Sequence, residues 1–385
     1  MMAIRLLMLN FEFPPIGGGA ANAHYYLLKE FAENKDLTID VLTSAPNPGF
    51  FEEVFSENIR IYKVGLHKKN LHYWRKIEVV EWLLKAGFYY RKMLRRDKYD
   101  LVHAFFGFPT GWLCYRTADK LPYIISLRGS DVPGYNIRLG LDYKLTAGLF
   151  RRIWSSAATV VANSIGLRNL ALEFVPSLDI AIIPNGIDTE KFHPAEIQHP
   201  GKPMKLLTVS RLIERKRIDL LIKAVSMAKN AGLDVCLNIA GEGNLGGELR
   251  KLSQELNVSE SIFFLGRIPS EKMPQIYREN DVFVMSSAHE GMSNAMLEAM
   301  ASGLPVITTQ CEGVEELITD NGIVTERADA ESFAEALKTL AQNDKSYKKM
   351  CTASRTQAEK LGWNTVARQY LDCYNKVLDR ASLRK

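Results

Sequence analysis

Short apolar runs alternate with longer amphipathic segments along the chain. The first run, IRLLMLN, leads through FEFPPIGGG into AANAHYYLLKEFAEN, where apolar residues recur at helical spacing. Further strand-like runs follow at LTIDVLTS, DLVHAFF, YIISLRG and TVVANS, and segments long enough for helices separate them. Alternating strands and helices are typical of an open parallel α/β sheet.

The same alternation then restarts. A second series of strand-like runs consists of KLLTVS, VCLNIAG, IFFLGR, DVFVMSS and PVITT, and the segment KFHPAEIQHPGKPMK, rich in proline, separates it from the first. A chain of 385 residues is also too long for one ordinary core. We therefore predict an α/β fold of two doubly wound, Rossmann-like domains, residues 1–190 and 204–360, joined near residues 190–204.

The end of the chain predicts one more helix. From Trp363 onward, apolar residues recur at helical spacing through Leu378, which gives a strong apolar face. We expect this helix, residues 363–385, to pack back on the first domain. Ligands of open α/β sheets bind beyond the carboxyl ends of the strands, so we expect functional residues just after strands, facing a cleft between the domains.

The composition is that of a globular protein, with 46% hydrophobic and 24% charged residues and no apolar run near the roughly 20 residues of a membrane-spanning helix. MMAIRLLMLN favours a first strand over a signal peptide, so we expect a cytoplasmic protein. The five cysteines form no CxxC pair, which predicts reduced, mostly buried thiols.

Positive charge is concentrated in one segment. The net charge is only +5, yet residues 60–100 contain twelve Lys or Arg against four Asp or Glu, interleaved with aromatic residues. Such a segment suits an anionic membrane surface, with each basic residue contributing roughly 1 kcal/mol, and would make the protein peripheral on the inner face of the membrane. The alternative is a helix that faces the core and has a solvated basic side. Nucleic-acid binding is disfavoured because no recognised module is present.

Two loops after strands have the chemistry to bind phosphate. PPIGGGA places three consecutive glycines before a helix N-terminus, where backbone N–H groups favour anions, although it is not a dinucleotide fingerprint and a flexible turn is the alternative. VSRLIERKR places Arg211 and Lys216 at a strand-to-helix turn. A guanidinium and an ammonium group can together neutralise a diphosphate, whereas an isolated basic turn is usually solvated surface.

The segment DVFVMSSAHEGMSNAMLEAMASGLPVITT contains two carboxylates eight residues apart, Glu290 and Glu298. Ser293 or Asn294 is a plausible helix cap, which leaves Glu290 in the preceding loop and places Glu298 about one turn inside the helix. This arrangement does not favour the two opposed carboxyls of a retaining glycosidase, which lie about 5 Å apart across one bond. The alternative roles are a helix N-terminal carboxylate and a surface loop residue.

Taken together, these segments resemble the retaining glycosyltransferases of family 4, the glycosyl transferases of group 1, which use the two-domain GT-B fold. The resemblance covers nearly the whole chain, because PPIGGG, ISLRGSD, ANS, IPNGID, VSRLIERKR, IAGEGN, FLGRIP, EGMSNAMLEAMASGLPVI and EGVEELI occur in the order of that family. The element from Glu290 to Glu298 matches its EX7E motif.

The resemblance implies a catalytic set of Glu290, Arg211 and Lys216. Arg211 and Lys216 would bind the diphosphate of a nucleotide sugar, Glu298 the ribose hydroxyls, and Glu290 would lie beside the transferred sugar. The other implied donor contacts are made largely by backbone groups, and they come from Gly18 and Gly19 in the first domain, from Met292, Ser293, Asn294 and Ala295 at the helix tip, and from Gly266, Arg267 and Ile268 around the base.

Two further features of the sequence bear on the sugar site and on metal binding. Where the family commonly has histidine, this chain has Arg128 in LRGSD, which carries a fixed charge and cannot accept a proton. We expect Arg128 to contact a phosphate or acidic group and Asp131 to have a structural or sugar-binding role, the alternative being an Arg128–Asp131 pair. There is no DxD motif, so we expect neither a metal site nor a cofactor.

The leading hypothesis is therefore an enzyme that moves a sugar from a nucleotide-sugar donor to a hydroxyl group of a glycan or lipid-linked acceptor. The alternatives are a GT-B sugar phosphorylase, a nucleotide-sugar epimerase, and a non-catalytic subunit that binds a sugar nucleotide at a membrane assembly.

Overall fold

The computed structural model describes residues 3–71, 73–135, 140–195 and 201–383. The chain divides into two compact units: Met1–Gly186 with Trp363–Lys385, and Ile187–Gly362. The division precedes the predicted linker because Phe192 lies in the core of the second unit. Arg355 also donates hydrogen bonds to the carbonyl groups of Thr189 and Phe192, at 3.0 and 2.9 Å. Part of the predicted linker, residues 196–200, lies outside the described residues.

The first unit is built on an eight-stranded sheet in the order β3-β4-β2-β1-β5-β6-β7-β8. Its strands are β1 (Ile4–Leu9), β2 (Leu37–Ala45), β3 (Phe50–Ser56), β4 (Ile59–Gly65), β5 (Leu101–Phe105), β6 (Tyr123–Ser126), β7 (Thr159–Ala162) and β8 (Ile180–Ile182). Its helices before the second unit are α1 (Gly19–Ala32), α2 (Lys76–Arg96), α3 (Thr110–Tyr115), α4 (Gly140–Ser155) and α5 (Ile165–Phe174).

The five strands predicted in this unit are confirmed as β1, β2, β5, β6 and β7, whereas β3, β4 and β8 were not predicted. The predicted parallel α/β sheet carries one antiparallel pair at its edge, where β3 pairs with β4. Only two residues connect these strands, and a connection that short permits only an antiparallel pair. Most of β3 is exposed, so it lacks the apolar signal of a buried strand.

The second unit contains a six-stranded, entirely parallel sheet in the order β11-β10-β9-β12-β13-β14. Its strands are β9 (Met204–Val209), β10 (Val235–Ala240), β11 (Ile262–Gly266), β12 (Val282–Met285), β13 (Val306–Thr308) and β14 (Gly322–Val324), of which only β14 was not predicted. Its helices are α6 (Ile218–Asn230), α7 (Gly246–Glu255), α8 (Met273–Arg278), α9 (Asn294–Ala301), α10 (Val314–Leu317), α11 (Ala330–Ala341) and α12 (Asp344–Glu359).

The strand order of this second sheet reverses direction at β9. The chain proceeds outward from β9 to β10 and β11, then returns to place β12 on the other side of β9. Such a reversal leaves a crevice at the carboxyl ends of the two strands that flank it. The loops after β9 and β12 therefore meet at the place where a doubly wound sheet binds its ligand.

The terminal helix, α13 (Trp363–Ser382), belongs to the first unit. Its buried face includes Val366, Tyr370 and Tyr374, which lie in the core of that unit. The Trp363 ring stacks on Tyr26 of α1 with a centroid distance of 5.7 Å. Covering this apolar face is what fixes the end of the chain on the first sheet.

The cysteines and the helices can be compared with two further expectations from the sequence, namely reduced, mostly buried thiols and no membrane-spanning helix. All five cysteines are free, and Cys114, Cys236 and Cys351 are buried. None of the helices in the described part of the chain combines the length and apolar composition needed to cross a bilayer.

Candidate active site

Hydrogen bonds to three backbone carbonyl groups hold the turn after β9 against the end of β12. The hydroxyl group of Ser286 donates to the carbonyl oxygens of Lys216 and Arg217, both at 2.9 Å. The N–H of Ala288 donates to the carbonyl oxygen of Arg215, also at 2.9 Å. Arg217 itself adopts the left-handed conformation, with φ of 48°, between this turn and α6. These contacts fix the basic turn at the crevice between β9 and β12.

Lys216 and Glu290 are in contact at this crevice. The ammonium group of Lys216 donates to Oε1 of Glu290, and only about a tenth of each side chain is exposed. The hydroxyl group of Ser287 donates to the same carboxylate oxygen at 2.9 Å. The N–H of Glu290 donates to the Glu312 carboxylate at 3.0 Å, which fixes the loop backbone. A predicted phosphate-binding cation and a predicted sugar-side carboxylate thus form one charge-assisted pair.

Glu298 lies in α9, in a different environment from Glu290. The helix is capped by Ser293, whose hydroxyl accepts from the N–H of Met296 at 3.3 Å. The Tyr277 hydroxyl lies 2.9 Å from Oε2 of Glu298 and 3.1 Å from the carbonyl oxygen of Ala295. Burial raises the pKa of Glu298 to about 7, although the Tyr277 hydrogen bond acts in the opposite direction. Glu298 is therefore a carboxyl group that changes charge near neutral pH.

Glycines allow the loops after β9, β10 and β11 to touch. A Cβ on Gly241 would lie 1.9 Å from the carbonyl oxygen of Ser210, and one on Gly243 would lie 2.2 Å from that of Leu212. The N–H of Gly241 donates to the carbonyl oxygen of Gly266 at 2.7 Å. No larger residue would permit this approach. The predicted base-contacting segment, residues 266–268, is thus joined through Gly241 to the loop that contains Arg211.

Arg211 and Lys216 differ in their surroundings. Lys216 is engaged by Glu290, whereas the Arg211 side chain is exposed and forms no ion pair within the described ranges of the chain. Arg267, in the segment after β11, is exposed as well. The two predicted diphosphate ligands are therefore in the same turn but are not equally available.

In the first unit, the glycine loop precedes α1 as predicted. Gly17 has a φ of 101°, and a Cβ there would lie 2.7 Å from the Glu12 side chain, so glycine is required. Gly18 is the N-terminal cap residue of α1, and a Cβ at Gly18 would meet no atom within 4 Å. The helix begins at Gly19 without a capping side chain. The space beside Gly18, just before the first turn of α1, is therefore open.

Asp131 is paired with the backbone of Arg128 rather than with its guanidinium group. Asp131 is buried and accepts from the N–H groups of Arg128 and Gly107, at 2.9 and 2.7 Å, so it organises the loop backbone. The guanidinium group of Arg128 instead donates to Oδ1 of Asn185 at 2.9 Å and to the Tyr370 hydroxyl at 3.3 Å. Arg128 thereby joins its loop to the NGID segment and to α13.

Two histidines lie in the buried interior beside this arginine. Burial, followed by the charge of Arg128, lowers the pKa of His24 to about 3, and the ring is 4.3 Å from that of Phe105. Burial also lowers the pKa of His103 well below its usual value. The ring nitrogens of His103 lie 2.8 Å from the Tyr374 hydroxyl and 2.7 Å from the Ser126 hydroxyl. Both histidines are neutral at physiological pH, so neither adds a second positive charge beside Arg128.

The predicted site residues are divided between the two units. Lys216, Glu290 and Glu298 lie at the carboxyl edge of the second sheet, whereas Gly18, Gly19, Arg128 and Asp131 belong to the first unit. Several residues that hold these groups in place were not predicted from the sequence, and they are Asn185, Tyr277, Ser287, Glu312 and Tyr370. Asn185 and Glu312 lie in the quoted segments IPNGID and EGVEELI, which was the available signal. Within the described residues, no cluster of three or more acidic, histidine or cysteine side chains could hold a metal ion.

Comparisons with known structures define the class of fold. The chain matches a sucrose-phosphate synthase from Thermosynechococcus elongatus with a TM-score of 0.81 and 20% identity, over 98% of this chain and 100% of the other. It matches Anabaena HepE in complex with UDP and glucose with a TM-score of 0.71 and 17% identity, over 97% and 100% of the two chains. Together with the two doubly wound units, these matches identify the GT-B fold.

Sequence comparisons define the family. Residues 17–191 match Glycosyltransferase Family 4 and residues 189–357 match the glycosyl transferases group 1. The chain is 30% identical over 385 aligned positions to a GDP-mannose-dependent alpha-(1-6)-phosphatidylinositol monomannoside mannosyltransferase of Mycolicibacterium smegmatis, and the match covers 94% of this chain and 95% of that protein. It is 29% identical to the lipopolysaccharide core biosynthesis glycosyltransferase LpsE of Rhizobium meliloti, over 60% of this chain and 64% of that protein. The chain belongs to the group 1 glycosyltransferases of family 4.

Proposed function

We propose that this protein is a retaining glycosyltransferase that moves a hexose from a nucleotide-diphosphate sugar to a hydroxyl acceptor without a divalent metal. The contact between Lys216 and Glu290 carries the proposal. It brings a cation suited to phosphate and a carboxylate suited to sugar hydroxyls to the same point, at the strand ends where a doubly wound sheet binds nucleotides.

Donor binding would change the partners of Lys216. The diphosphate carries more negative charge than Glu290 and is brought next to the exposed Arg211, so the ammonium group would turn toward the phosphate oxygens. Glu290 would then be released to accept hydrogen bonds from the transferred sugar, while the Ser287 hydroxyl holds the Glu290 carboxylate in place. In the proposed unliganded state, the charges of Lys216 and Glu290 therefore neutralise each other until the donor binds.

The remaining donor contacts would come from the N-terminal part of α9 and from two glycine-containing loops. Backbone N–H groups of Met292, Ser293, Asn294 and Ala295 at the helix N-terminus would hold the sugar or the phosphate. Glu298, ionised and oriented by Tyr277, would accept hydrogen bonds from the ribose hydroxyls. The loop of Gly266, Arg267 and Ile268 would contact the base through backbone groups, and Gly18 and Gly19 are proposed as further donor contacts.

The transfer itself would proceed on one face of the sugar. The bond from the anomeric carbon to the diphosphate oxygen breaks, the acceptor oxygen bonds to the same carbon from the same face, and the acceptor proton passes to the leaving diphosphate. The protein would contribute position and positive charge at the leaving group, which Lys216 and Arg211 supply. No separate strong base is required in this scheme.

We further propose a role in cell-surface polysaccharide or glycolipid biosynthesis, with the enzyme in the cytoplasm and its acceptor at the inner face of a membrane. The mycobacterial relative has phosphatidylinositol monomannoside in its name, and the Rhizobium relative is named for lipopolysaccharide core biosynthesis. The structure of HepE with UDP and glucose supports a UDP-sugar as one donor to examine, and the mycobacterial relative supports GDP-mannose.

Donor turnover in the absence of an acceptor tests the reaction type, because water can then take the place of the acceptor hydroxyl. Proton NMR at early times should show free sugar with the anomeric configuration of the donor, together with nucleoside diphosphate. A different nucleotide sugar as product would identify an epimerase instead. Inverted sugar would refute retention, and no turnover of any donor that binds, with any acceptor supplied, would indicate a protein that only binds the donor.

A further inference from the structure

Helix α2 has two apolar faces, and only one of them packs on the protein. Trp82, Ala86, Tyr90 and Met93 are buried in the core of the first unit, so α2 has the core-facing side that was the alternative to membrane binding. Trp82 and Tyr90 therefore cannot belong to a surface that binds a membrane. The face that remains for such a role is the opposite one.

The opposite face exposes a continuous row of large apolar residues. Ile77, Val80, Leu84 and Phe88, here called the α2 stripe, are between 53% and 72% exposed. Their spacing of three, four and four residues places them in one line along the helix. Nine of the fourteen exposed large apolar side chains described in the structure lie between residues 50 and 88, so the exposure is concentrated rather than scattered.

The edge strand extends this apolar surface. Phe50 of β3 is partly exposed and stacks on Tyr89, with ring centroids 3.9 Å apart and an interplanar angle of 9°. Tyr89 in turn contacts Phe88 edge to face at 5.3 Å. The surface therefore continues from the helix onto the exposed edge of the sheet, and it is held in place by ring contacts.

The same helix face becomes basic in its last two turns. Arg91 and Arg95 follow Leu84 and Phe88 in the same line, with Lys92 beside them, and all three cations are exposed. None of the three forms an ion pair with a residue in the described ranges. The acidic residues of α2 do not offset them, because Glu78 is bound by Lys68 and Arg75 and Glu81 by Lys85.

We propose that the α2 stripe and the adjoining cations Arg91, Lys92 and Arg95 dock the first unit on an anionic lipid surface, with α2 in the plane of the interface. Apolar side chains in one line with a basic end are what an interfacial helix needs, because the first enter the acyl boundary and the second meet lipid phosphates. The charge complementarity selects an anionic bilayer over a second copy of this basic face. This surface would bring the enzyme to a membrane-borne acceptor, a role that rests on the proposed function.

Vesicle flotation without donor or acceptor tests this docking. The full chain should float with vesicles of phosphatidylcholine containing phosphatidylglycerol, and should bind pure phosphatidylcholine at least about tenfold less. Leu84→Glu with Phe88→Glu should lower the bound fraction at least about tenfold. The matched control is Met227→Glu with Phe263→Glu, which changes two exposed apolar residues of the second unit and should leave flotation unchanged.

A second pair of variants separates charge from apolar insertion. Lys92→Ala with Arg95→Ala should reduce flotation by more than about tenfold at low salt, whereas Lys345→Ala with Lys348→Ala on α12 should not. Donor binding, followed by thermal shift, should be the same in every variant, so a failure of docking is distinguishable from a failure of the proposed function.

Two outcomes would overturn the proposal. One is a parent protein that does not float with anionic vesicles, or a stripe variant that floats as well as the parent does. The other is a dimer in solution that the stripe variant converts to a monomer while its vesicle binding persists, since the stripe would then be covered by a second copy.

Discussion

Lys216 and Glu290 are 74 residues apart in sequence and in contact in the folded protein, at the carboxyl ends of β9 and β12. Each is the main charge partner of the other, and both side chains are largely removed from solvent. Removing either partner would leave a mostly buried charge without compensation, which costs more than the pair itself contributes. A site built this way is stable without ligand and can exchange its internal carboxylate for a phosphate.

The different surroundings of Glu290 and Glu298 predict different kinetic defects. Glu298→Ala should chiefly raise the dissociation constant for the donor, because the ribose contact is present in both ground and transition states. Glu290→Ala should chiefly lower kcat, by about 10²-fold, because its contact with the sugar strengthens as the bond breaks. Steady-state kinetics and donor titrations separate the two effects, and the opposite pattern would mean that the roles are exchanged.

The raised pKa of Glu298 predicts a pH dependence of folding stability. The folded protein holds the proton of this carboxyl up to a pKa of about 7, whereas the unfolded chain releases it near 4.5. Its stabilising contribution is therefore complete below pH 4.5 and is lost as the pH rises toward and through 7, by roughly 3 kcal/mol at most. Thermal unfolding should show that Glu298→Gln gains Tm relative to the parent between pH 5 and pH 8.

Exposed Glu260→Gln serves as the control and should track the parent at every pH. A Glu298→Gln variant that also tracks the parent would show that the carboxyl is ionised throughout this pH range.

Ionisation of Glu298 should also tighten donor binding by about tenfold between pH 6 and pH 8, because only the ionised carboxylate accepts hydrogen bonds from both ribose hydroxyls.

The anchored position of Arg128 predicts a functional cost when its charge is lost. Arg128→His should lower kcat/KM for the true donor and acceptor, because a histidine cannot keep the bonds to Asn185 and Tyr370 or supply a permanent charge. Arg116→His, at an exposed position of the same unit, should leave the kinetics unchanged. If Arg128→His left the kinetics unchanged, Arg128 would have only a structural role in the first unit.

The sequence alone could predict much of the fold because strand and helix periods are local properties. The separation of Glu290 in a loop from Glu298 in a helix also followed from a predicted cap at Ser293 or Asn294, and the structure has Ser293 at that position. The contacts of Lys216 with Glu290 and of Tyr277 with Glu298 could not be predicted, since each depends on how distant loops meet after the sheet has formed. The helical period of α2 was visible, but periodicity does not say which of two apolar faces is covered.

Because Lys216 and Arg211 are assigned the charge neutralisation that a divalent ion would otherwise supply, we predict that activity survives chelation. Turnover measured after exhaustive treatment with EDTA should equal that of untreated enzyme, and added Mg²⁺ or Mn²⁺ should not raise it by more than about twofold. Loss of activity in EDTA that either ion restores would contradict the assignment.

The proposed function requires that the second unit bind a nucleotide-diphosphate sugar through Arg211 and Lys216, the pair of basic residues after β9. A thermal-shift titration of the full chain with UDP-, GDP- and ADP-sugars tests it most directly, alongside Arg211→Ala with Lys216→Ala. The matched control is Lys223→Ala with Lys251→Ala, at two exposed or half-exposed lysines of the same unit. At least one nucleotide sugar should raise Tm in the parent and in the control but not in the Arg211 and Lys216 variant. No stabilisation of the parent by any nucleotide sugar would contradict it.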